Sequence, residues 1–109
     1  MNGIRGAIAT VENTENDILK STKELFNTIV ENNNLDISKI VSVIFTVTND
    51  LDAAFPAKAL RELGYHQLSA IDTKAPNVVN DLEGCIRVLV TYKDLSLIHI
   101  SEPTRHHAI

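Results

Sequence analysis

The stretch Gly84-Cys85-Ile86-Arg87-Val88-Leu89-Val90 predicts a buried β-strand that carries a cation. Cys, Ile, Val and Leu favour strands and burial, whereas Arg is almost never fully buried without a partner. Alternation over residues 85–92 predicts two faces: Cys85, Arg87, Leu89 and Thr91 on one, and Ile86, Val88, Val90 and Tyr92 on the other. The second set is more apolar and is expected to face the core. Arg87 should therefore point away from the core, towards a cavity or a subunit interface.

Hydrophobic periodicity along the chain predicts elements in the order β-α-β-α-β-β. The expected strands cover residues 4–11, 40–47, 68–71 and 85–92, and the expected helices cover residues 14–32 and 50–64. In the second strand the predicted common face holds Val41, Val43, Phe45 and Val47. Gly6, in the first strand, indicates either a bulge or a close approach of another element. This order indicates a sheet layered with helices, of the α/β or α+β class.

Local signals mark the ends of both expected helices. Thr14 and Asp17 resemble a capping box at the start of the first helix, and the run of Asn residues at 32–34 can stop it. Pro56 fits only the first turn of the second helix, and Gly64 fits its C-terminal end.

Composition excludes several classes of protein. The 109 residues, 44% of them hydrophobic, suffice for one globular domain, and association between copies would help so short a chain to bury its surface. The net charge of −4 gives no basic surface for nucleic acid, and no apolar run approaches the roughly 20 residues of a membrane span. The lone Cys85 excludes an internal disulfide and fits a reducing cytoplasm. Its apolar neighbours indicate a packing residue rather than a nucleophile.

The last fifteen residues differ in kind from the rest of the chain. Residues 95–105, Leu-Ser-Leu-Ile-His-Ile-Ser-Glu-Pro-Thr-Arg, are the peptide that the transposase end and adapter of DNA sequencing libraries encode in one reading frame. The adapter continues with C, a variable index and ATC, and the ending His-His-Ala-Ile fits that continuation. We therefore expect a natural domain over residues 1–94, incomplete at its C-terminus, and an adapter-derived tail over residues 95–109. The alternative is a natural, disordered polar tail.

Four cations outside that tail suggest recognition of an anion. Arg5 shares a strand face with alanines, which leave room beside it, and Arg87 lies on the non-core face of its own strand. Lys58 and Arg61 are three residues apart on one helical face. The alternatives are structural salt bridges for the two strand arginines and a solvated face for the helical pair.

Other kinds of chemistry lack support in the sequence. It contains no glycine-rich phosphate loop, no Ser-His-Asp set and no metal-ligand spacing, and three of its four histidines lie in the tail. The expected chemistry is binding of a small polyanion by fixed positive charge, with no cofactor, metal or nucleophile.

Four motifs together resemble the monofunctional chorismate mutases of the Bacillus type, over essentially all of residues 2–94. They are Ile-Arg-Gly-Ala at 4–7 followed by Thr-Val-Glu at 10–12, Asp-Leu-Asp-Ala-Ala-Phe-Pro-Ala-Lys-Ala at 50–59, Arg-Glu-Leu-Gly at 61–64, and Cys-Ile-Arg-Val at 85–88. The resemblance implies an α+β fold, in which a mixed β-sheet packs with helices in a pseudo-barrel homotrimer with active sites between subunits. It also implies isomerisation of chorismate to prephenate, without a cofactor, in aromatic amino-acid biosynthesis.

The resemblance assigns roles to the cations. The arginine matching Arg87 reaches the ether oxygen of the breaking bond, and the one matching Arg5 binds a carboxylate. The segment matching residues 55–58 comes from the neighbouring subunit and lines the pocket, which places Phe55, Ala57 and Lys58 there. Arg61 lies near the pocket mouth. Arg87 would then sit in a strand because the strand is rigid, with the substrate dianion as its partner.

The sequence departs from that family in two places. The family carries a Cys and, three residues later, a Glu that contacts the substrate hydroxyl. The corresponding pocket segment here is Ile71, Asp72, Thr73, Lys74 and Ala75, in which Asp72 replaces the Cys and Ala75 the Glu when counted from Arg87. Asp72 could reach the hydroxyl instead, and Lys74 could add positive charge. The second departure is the tail, which stands where the family has a further Tyr and Arg.

Two other functions stay open at this point. A non-catalytic trimeric protein could use the same cleft to bind another small carboxylate, and the missing Glu at Ala75 favours this hypothesis. An imine deaminase on a similar trimeric scaffold is an analogy of fold alone, and the Phe-Pro-Ala-Lys segment argues against it.

Overall fold

The computed structural model describes residues 1–93 and places six main elements in them. The predictions about residues 95–109 lie outside this range. The strands are β1 (Asn2–Ile8), β2 (Ile40–Val47), β3 (Ala70–Lys74) and β4 (Ile86–Tyr92), and the helices are α1 (Glu15–Asn32) and α2 (Lys58–Glu62). A short 3-10 helix, Ile37–Lys39, leads into β2.

The four strands form one sheet in the order β1-β4-β2-β3. β4 pairs antiparallel with both β1 and β2, whereas β3 joins the other edge of β2 in parallel. A parallel pair needs a crossover, and the segment that contains α2 supplies it. The prediction of an α+β fold with a mixed sheet is confirmed.

The core lies between one face of the sheet and the helices. α1 packs against β1 and α2. The largest fully buried side chains include Ile18, Phe26, Phe45, Ile86 and Val90. Gly6 lies beneath α1, since a Cβ there would come within 2.6 Å of Ile29 Cδ1. Of the two roles expected for this glycine, the structure shows the close approach.

Both predicted ends of α1 are confirmed. The Thr14 hydroxyl accepts the backbone N–H of Asp17 at 3.0 Å, and the Asp17 carboxylate accepts the N–H of Glu12 at 2.6 Å. The reciprocal bond of the capping box thus reaches two residues before the cap. At the other end Asn33 caps the helix, and Asn34 takes a left-handed backbone with φ +51°.

The prediction of a long second helix over residues 50–64 was wrong, because α2 covers only Lys58–Glu62. Proline cannot occupy a helix interior, so Pro56 confines the helix to the residues that follow it. The N–H groups of Asp52 and Ala53 instead donate to Asn13 Oδ1, at 2.9 and 3.0 Å. Gly64 follows the helix with φ +93°, as its predicted place at the end requires.

The strand boundaries also differ from those predicted. β1 ends at Ile8 rather than at residue 11, and Thr10 beyond it has φ +58°, outside the extended region. A register shift between Ile40 and Ser42 turns Val41 to solvent, so that Ile40 is buried in its place. Such a shift reverses the side-chain alternation on one side of it.

No helix in the described part of the chain is long and apolar enough to cross a bilayer.

Gly84 fixes the entrance to β4. Its N–H donates to Asp50 Oδ2 at 2.9 Å, and its carbonyl accepts the N–H of Val11 at 2.9 Å. The residue has φ +62°, and a Cβ there would meet Val11 O at 2.7 Å. The position therefore excludes a side chain both by backbone conformation and by space.

We predict that Gly84→Ala destabilises the fold by more than the roughly 1–2 kcal/mol of a left-handed alanine alone, because Val11 must also move. Gly64→Ala is the matched control: φ is also positive there, but nothing lies within 4 Å of the added Cβ. Chemical denaturation measures both variants. Equal losses at the two sites would show that the contact with Val11 does not constrain the fold.

Candidate active site

Arg87 lies on the face of the sheet opposite the core, as predicted from strand alternation. Its neighbours on β4, Ile86 and Val88, are buried, whereas 42% of the Arg87 side chain remains exposed. The register places Arg87 between Ala7 on β1 and Thr46 on β2. Its charged contact within residues 1–93 is Asp81, at the long distance of 3.8 Å. A half-exposed pair of this length contributes little, so the guanidinium is available to an anion.

Arg5 points from the same face of the sheet, on the neighbouring strand. It is exposed and stands opposite Leu89, which makes it a diagonal neighbour of Arg87. Diagonal neighbours on antiparallel strands lie about 7–8 Å apart, a separation that long side chains span. No salt bridge involves Arg5 within residues 1–93. Two cations can therefore converge on one ligand above this face.

An apolar row lies beside the two arginines on the same open face. The register aligns Leu89 on β4 with Ile44 on β2, and Ile44 with Ile71 on β3. Leu89 is 38% exposed and Ile71 58%. The helices pack on the other face of the sheet, so neither helix covers this row.

A separate cavity of about 460 Å³ gathers five of the predicted pocket residues: Phe55, Lys58, Asp72, Thr73 and Lys74. Phe55 is 71% exposed at its rim, although the side chain is large and apolar. Glu15 at the start of α1 also lines the cavity. Arg5, Arg61 and Arg87 do not. The predicted site residues thus form two groups in one chain, the arginines on the open sheet face and the Phe55–Lys58 group around this cavity.

The remaining predicted residues lie close to these groups without lining the cavity. Ala57 and Ala75 are buried, and the Ala75 N–H donates to the carbonyl of Val47 at 2.8 Å. Arg61 is exposed on α2, and Ile71 belongs to the apolar row. The small buried side chain of Ala75 offers no polar group to a ligand.

The structure gives Asp72 and Thr73 opposite orientations on β3. Asp72 pairs in register with the buried Phe45, whereas Thr73 pairs with Thr46, which in turn pairs with Arg87. Asp72 therefore points to the helix side of the sheet, where its Oδ1 accepts the N–H of Ala57 at 2.9 Å. Thr73 is the residue that shares a face with Arg87.

Side chains of Asn13, Glu15, Asp72 and Lys74 hold the segment from Leu51 to Lys58, here called the pocket segment. Asn13 binds the beginning of this segment: its Oδ1 accepts the N–H groups of Asp52 and Ala53, and its Nδ2 donates to Asp52 Oδ1 at 2.8 Å. Asp72 holds Ala57, and Glu15 binds Lys58 Nζ at 2.9 Å. Asn13 and Glu15 were not predicted. They are about forty residues distant from their partners in sequence, and no local pattern marks such contacts.

Two of the side chains that make these contacts, Lys58 and Asp72, have shifted pKa values. The hydrogen bond from Lys58 to the Glu15 carboxylate raises the pKa of the Lys58 ammonium, which stays charged at neutral pH. Burial raises the pKa of the Asp72 carboxyl, while the Ala57 N–H and the charge of Arg61 act in the opposite direction. The pocket segment therefore presents the Lys58–Glu15 ion pair beside a large exposed ring.

Residues 1–93 contain no group of three His, Cys, Asp or Glu side chains placed to hold a metal ion. The cationic and apolar groups just described instead suit a small, partly apolar anion.

Comparison with known proteins identifies the family to which the chain belongs. The family model of chorismate mutase type I matches residues 1–106. The chorismate mutase AroH of Bacillus subtilis is 40% identical over 90 residues, which are 82% of this chain and 71% of that protein. The AroH of Thermus thermophilus is 40% identical over 91 residues, 83% of this chain and 75% of its own.

A solved structure gives the same result for the fold. The chorismate mutase from Clostridium thermocellum superposes with a TM-score of 0.85 at 38% sequence identity, covering 88% of this chain and 86% of the other. On the family match, the two relatives and this structural likeness, the chain belongs to the chorismate mutase type I family.

Proposed function

We propose that this protein rearranges chorismate to prephenate, as an isomerase of aromatic amino-acid biosynthesis. The observation that carries the proposal is the pair of arginines, Arg5 and Arg87, exposed side by side on an open sheet face in a member of this family. Chorismate is a dicarboxylate, so two converging guanidinium groups match its charge. Guanidinium also binds a carboxylate through two parallel hydrogen bonds.

The reaction makes modest chemical demands, which these residues can meet. It is an intramolecular pericyclic rearrangement, so that the enzyme need only hold a compact conformer and stabilise charge that develops on the ether oxygen. In our proposal Arg87 donates to that oxygen and Arg5 holds a carboxylate. Phe55, Lys58 and Thr73 line the pocket, and Arg61 stands near its mouth. No cofactor is needed for this chemistry.

We further propose that the protein acts as a homotrimer in which each site is shared between two subunits. The separation of the arginines from the cavity that holds Lys58 supports this arrangement, because one chain then contributes different halves to two sites. The apolar row of Leu89, Ile44 and Ile71 supports it as well, since a neighbouring subunit would cover it. The free thiol of Cys85 fits a reducing bacterial cytoplasm.

A second candidate function is binding of a small carboxylate without catalysis. The observation that favours it is Ala75, a buried alanine where the family was expected to carry a Glu that contacts substrate. Loss of chorismate absorbance in the presence of the protein separates the two functions, because a binding protein would hold chorismate without consuming it.

The first prediction tests the role of Arg87. Arg87→Lys keeps the charge but replaces a planar fork with a hydrated point charge, and should lower kcat by about 10²–10³, with a smaller effect on prephenate binding. Lys20→Arg, the reverse exchange at an exposed position of α1 that does not line the cavity, should change kcat little. Chorismate absorbance and calorimetric titration with prephenate measure the two effects. Near-normal kcat in Arg87→Lys would make Arg87 a structural residue.

The second prediction concerns assembly. Sedimentation should give a mass of about 36 kDa, three times the 12.0 kDa of one chain. Leu89→Glu places a charge in the apolar row and should yield monomers, whereas Gln67→Glu, the same charge change at an exposed position after α2, should leave the assembly intact. A folded wild-type monomer at micromolar concentration would exclude both the trimer and the shared site.

The third prediction concerns residues 95–109, which we propose are adapter-derived. The alignments with the two relatives cover 90 and 91 residues, fewer than the 94 that precede this tail, whereas the family match extends to residue 106. Deleting the tail should shift Tm by only a few degrees, equivalent to about 1 kcal/mol or less. Exchanging it for the C-terminal segment of the Bacillus subtilis relative should raise a weak or absent activity. A large loss of stability on deletion would show that the tail belongs to the fold.

A further inference from the structure

Asp72 holds a backbone donor that has no other partner among residues 1–93. The first N–H groups of a helix lack partners within it, and here Lys58 and Ala59 donate to the carbonyls of Phe55 and Pro56. Pro56 has no N–H to offer. Ala57 is buried, and its N–H donates to the part-buried Asp72 Oδ1 at 2.9 Å. Without that carboxylate the donor would be left unsatisfied, which proteins avoid.

This contact ties the pocket segment to the sheet. Asn13 and Glu15, at the start of α1, hold other parts of the segment. From β3, Lys74 Nζ donates to the Leu51 carbonyl at 3.4 Å, at the far end of the segment, whereas Asp72 holds Ala57 beside Phe55 and Lys58. β3 is joined through β2 to the strand that carries Arg87, so the Asp72 contact sets the position of Ala57 relative to the sheet.

We propose that Asp72 is a positioning residue for catalysis: it fixes Phe55 and Lys58 by accepting the Ala57 N–H, instead of contacting the substrate itself. The inference rests on the proposed function, in which the pocket segment lines the site. An ionised acceptor forms a stronger hydrogen bond than a neutral one, which explains a carboxylate at this place. Displacements of about 1 Å near reacting groups can cost about 10²-fold in rate, so the contact matters for catalysis.

This positioning role differs from the one suggested by the sequence, in which Asp72 could reach the substrate hydroxyl. Asp72 Oδ1 accepts the Ala57 N–H at 2.9 Å, so this oxygen is occupied by the backbone of the chain itself. On the helix side of the sheet Asp72 is instead close enough to Arg61 to interact with its charge. The negative charge is thereby kept away from the face that carries Arg5 and Arg87.

Asp72→Ala and Asp72→Asn test the proposal in whichever form of the chain, with or without the exchanged tail, consumes chorismate. Asp72→Ala should lower kcat/KM by about 10–10²-fold. It should also speed hydrogen exchange of the Ala57 amide by about tenfold or more. Asp72→Asn keeps an acceptor oxygen and should therefore retain most of the wild-type kcat/KM and most of the protection of the Ala57 amide. Asp36→Asn is the control, because Asp36 likewise accepts a backbone N–H, that of Ser38, but does not line the cavity.

A double-mutant cycle separates positioning from direct contact. If Asp72 acts through the pocket segment, Asp72→Ala should cost little further activity in a Lys58→Ala background. Full additivity of the two losses, or an Ala57 amide whose exchange is unchanged in Asp72→Ala, would overturn the proposal. A wild-type protein that binds prephenate without consuming chorismate would instead contradict the proposed function. In that case amide exchange and the effect of Asp72→Ala on prephenate affinity still decide the role of Asp72.

Discussion

Hydrogen bonding on both edges of β4 is the constraint on which the rest of the site depends. The strand lies between β1 and β2, and its alternate residues Ile86, Val88 and Val90 fill the core. A slip by one residue would expose that whole set and break two ladders at once. The same alternation holds Arg87 on the open face, so that the packing of apolar neighbours fixes the position of the cation. The fold therefore supplies pre-organised positive charge, which electrostatic catalysis requires.

The second half of the site is held in a different way. The pocket segment is mostly irregular, and contacts from Asn13, Glu15 and Asp72 take the place of regular backbone pairing. Each contact joins residues that are distant in sequence. A segment of this kind can present Phe55 to a neighbouring subunit while its backbone remains fixed to its own chain. One chain thus combines a rigid cationic face and an anchored apolar edge, and a trimer would bring the two together.

The sequence predicts β4 and α1 well because their signals are local, whereas β3 covers Ala70–Lys74 rather than the predicted residues 68–71. Three signals each span only a few residues: the alternation in β4, the cap at Thr14 and the asparagines after α1. The length of α2 and the face of Val41 could not be predicted in the same way. Pro56 marks the start of α2 locally, but the conformation of Asp52 and Ala53 before it depends on N–H groups that bond to the distant Asn13. The face of Val41 depends on a register shift against β4.

The candidate site shows the same division between local and distant signals. Strand parity predicted the open face for Arg87, where the structure has it beside Arg5, and motif resemblance pointed to the pocket segment. Counting residues back from Arg87 put Asp72 in the place of the family's Cys and Ala75 in the place of its Glu, with Asp72 as one candidate to reach the substrate hydroxyl. Pairing with β2 puts Thr73, and not Asp72, on the face of Arg87. The intervening loop contains no periodic signal that could have fixed this register. Asn13 and Glu15, which hold the pocket segment, likewise have no mark in the local sequence.

Mixing two inactive variants tests most directly the central claim, that each site is built from two chains. Arg87→Ala removes the sheet-face half of the site and Lys58→Ala removes part of the pocket-segment half. If the two variants are unfolded, mixed in equal amounts and refolded as trimers, random assortment leaves about one quarter of the sites with both halves intact. Our account predicts about that fraction of wild-type activity from the mixture, with little from either variant alone. A mixture no more active than its components would place both halves of the site in a single chain and contradict the account.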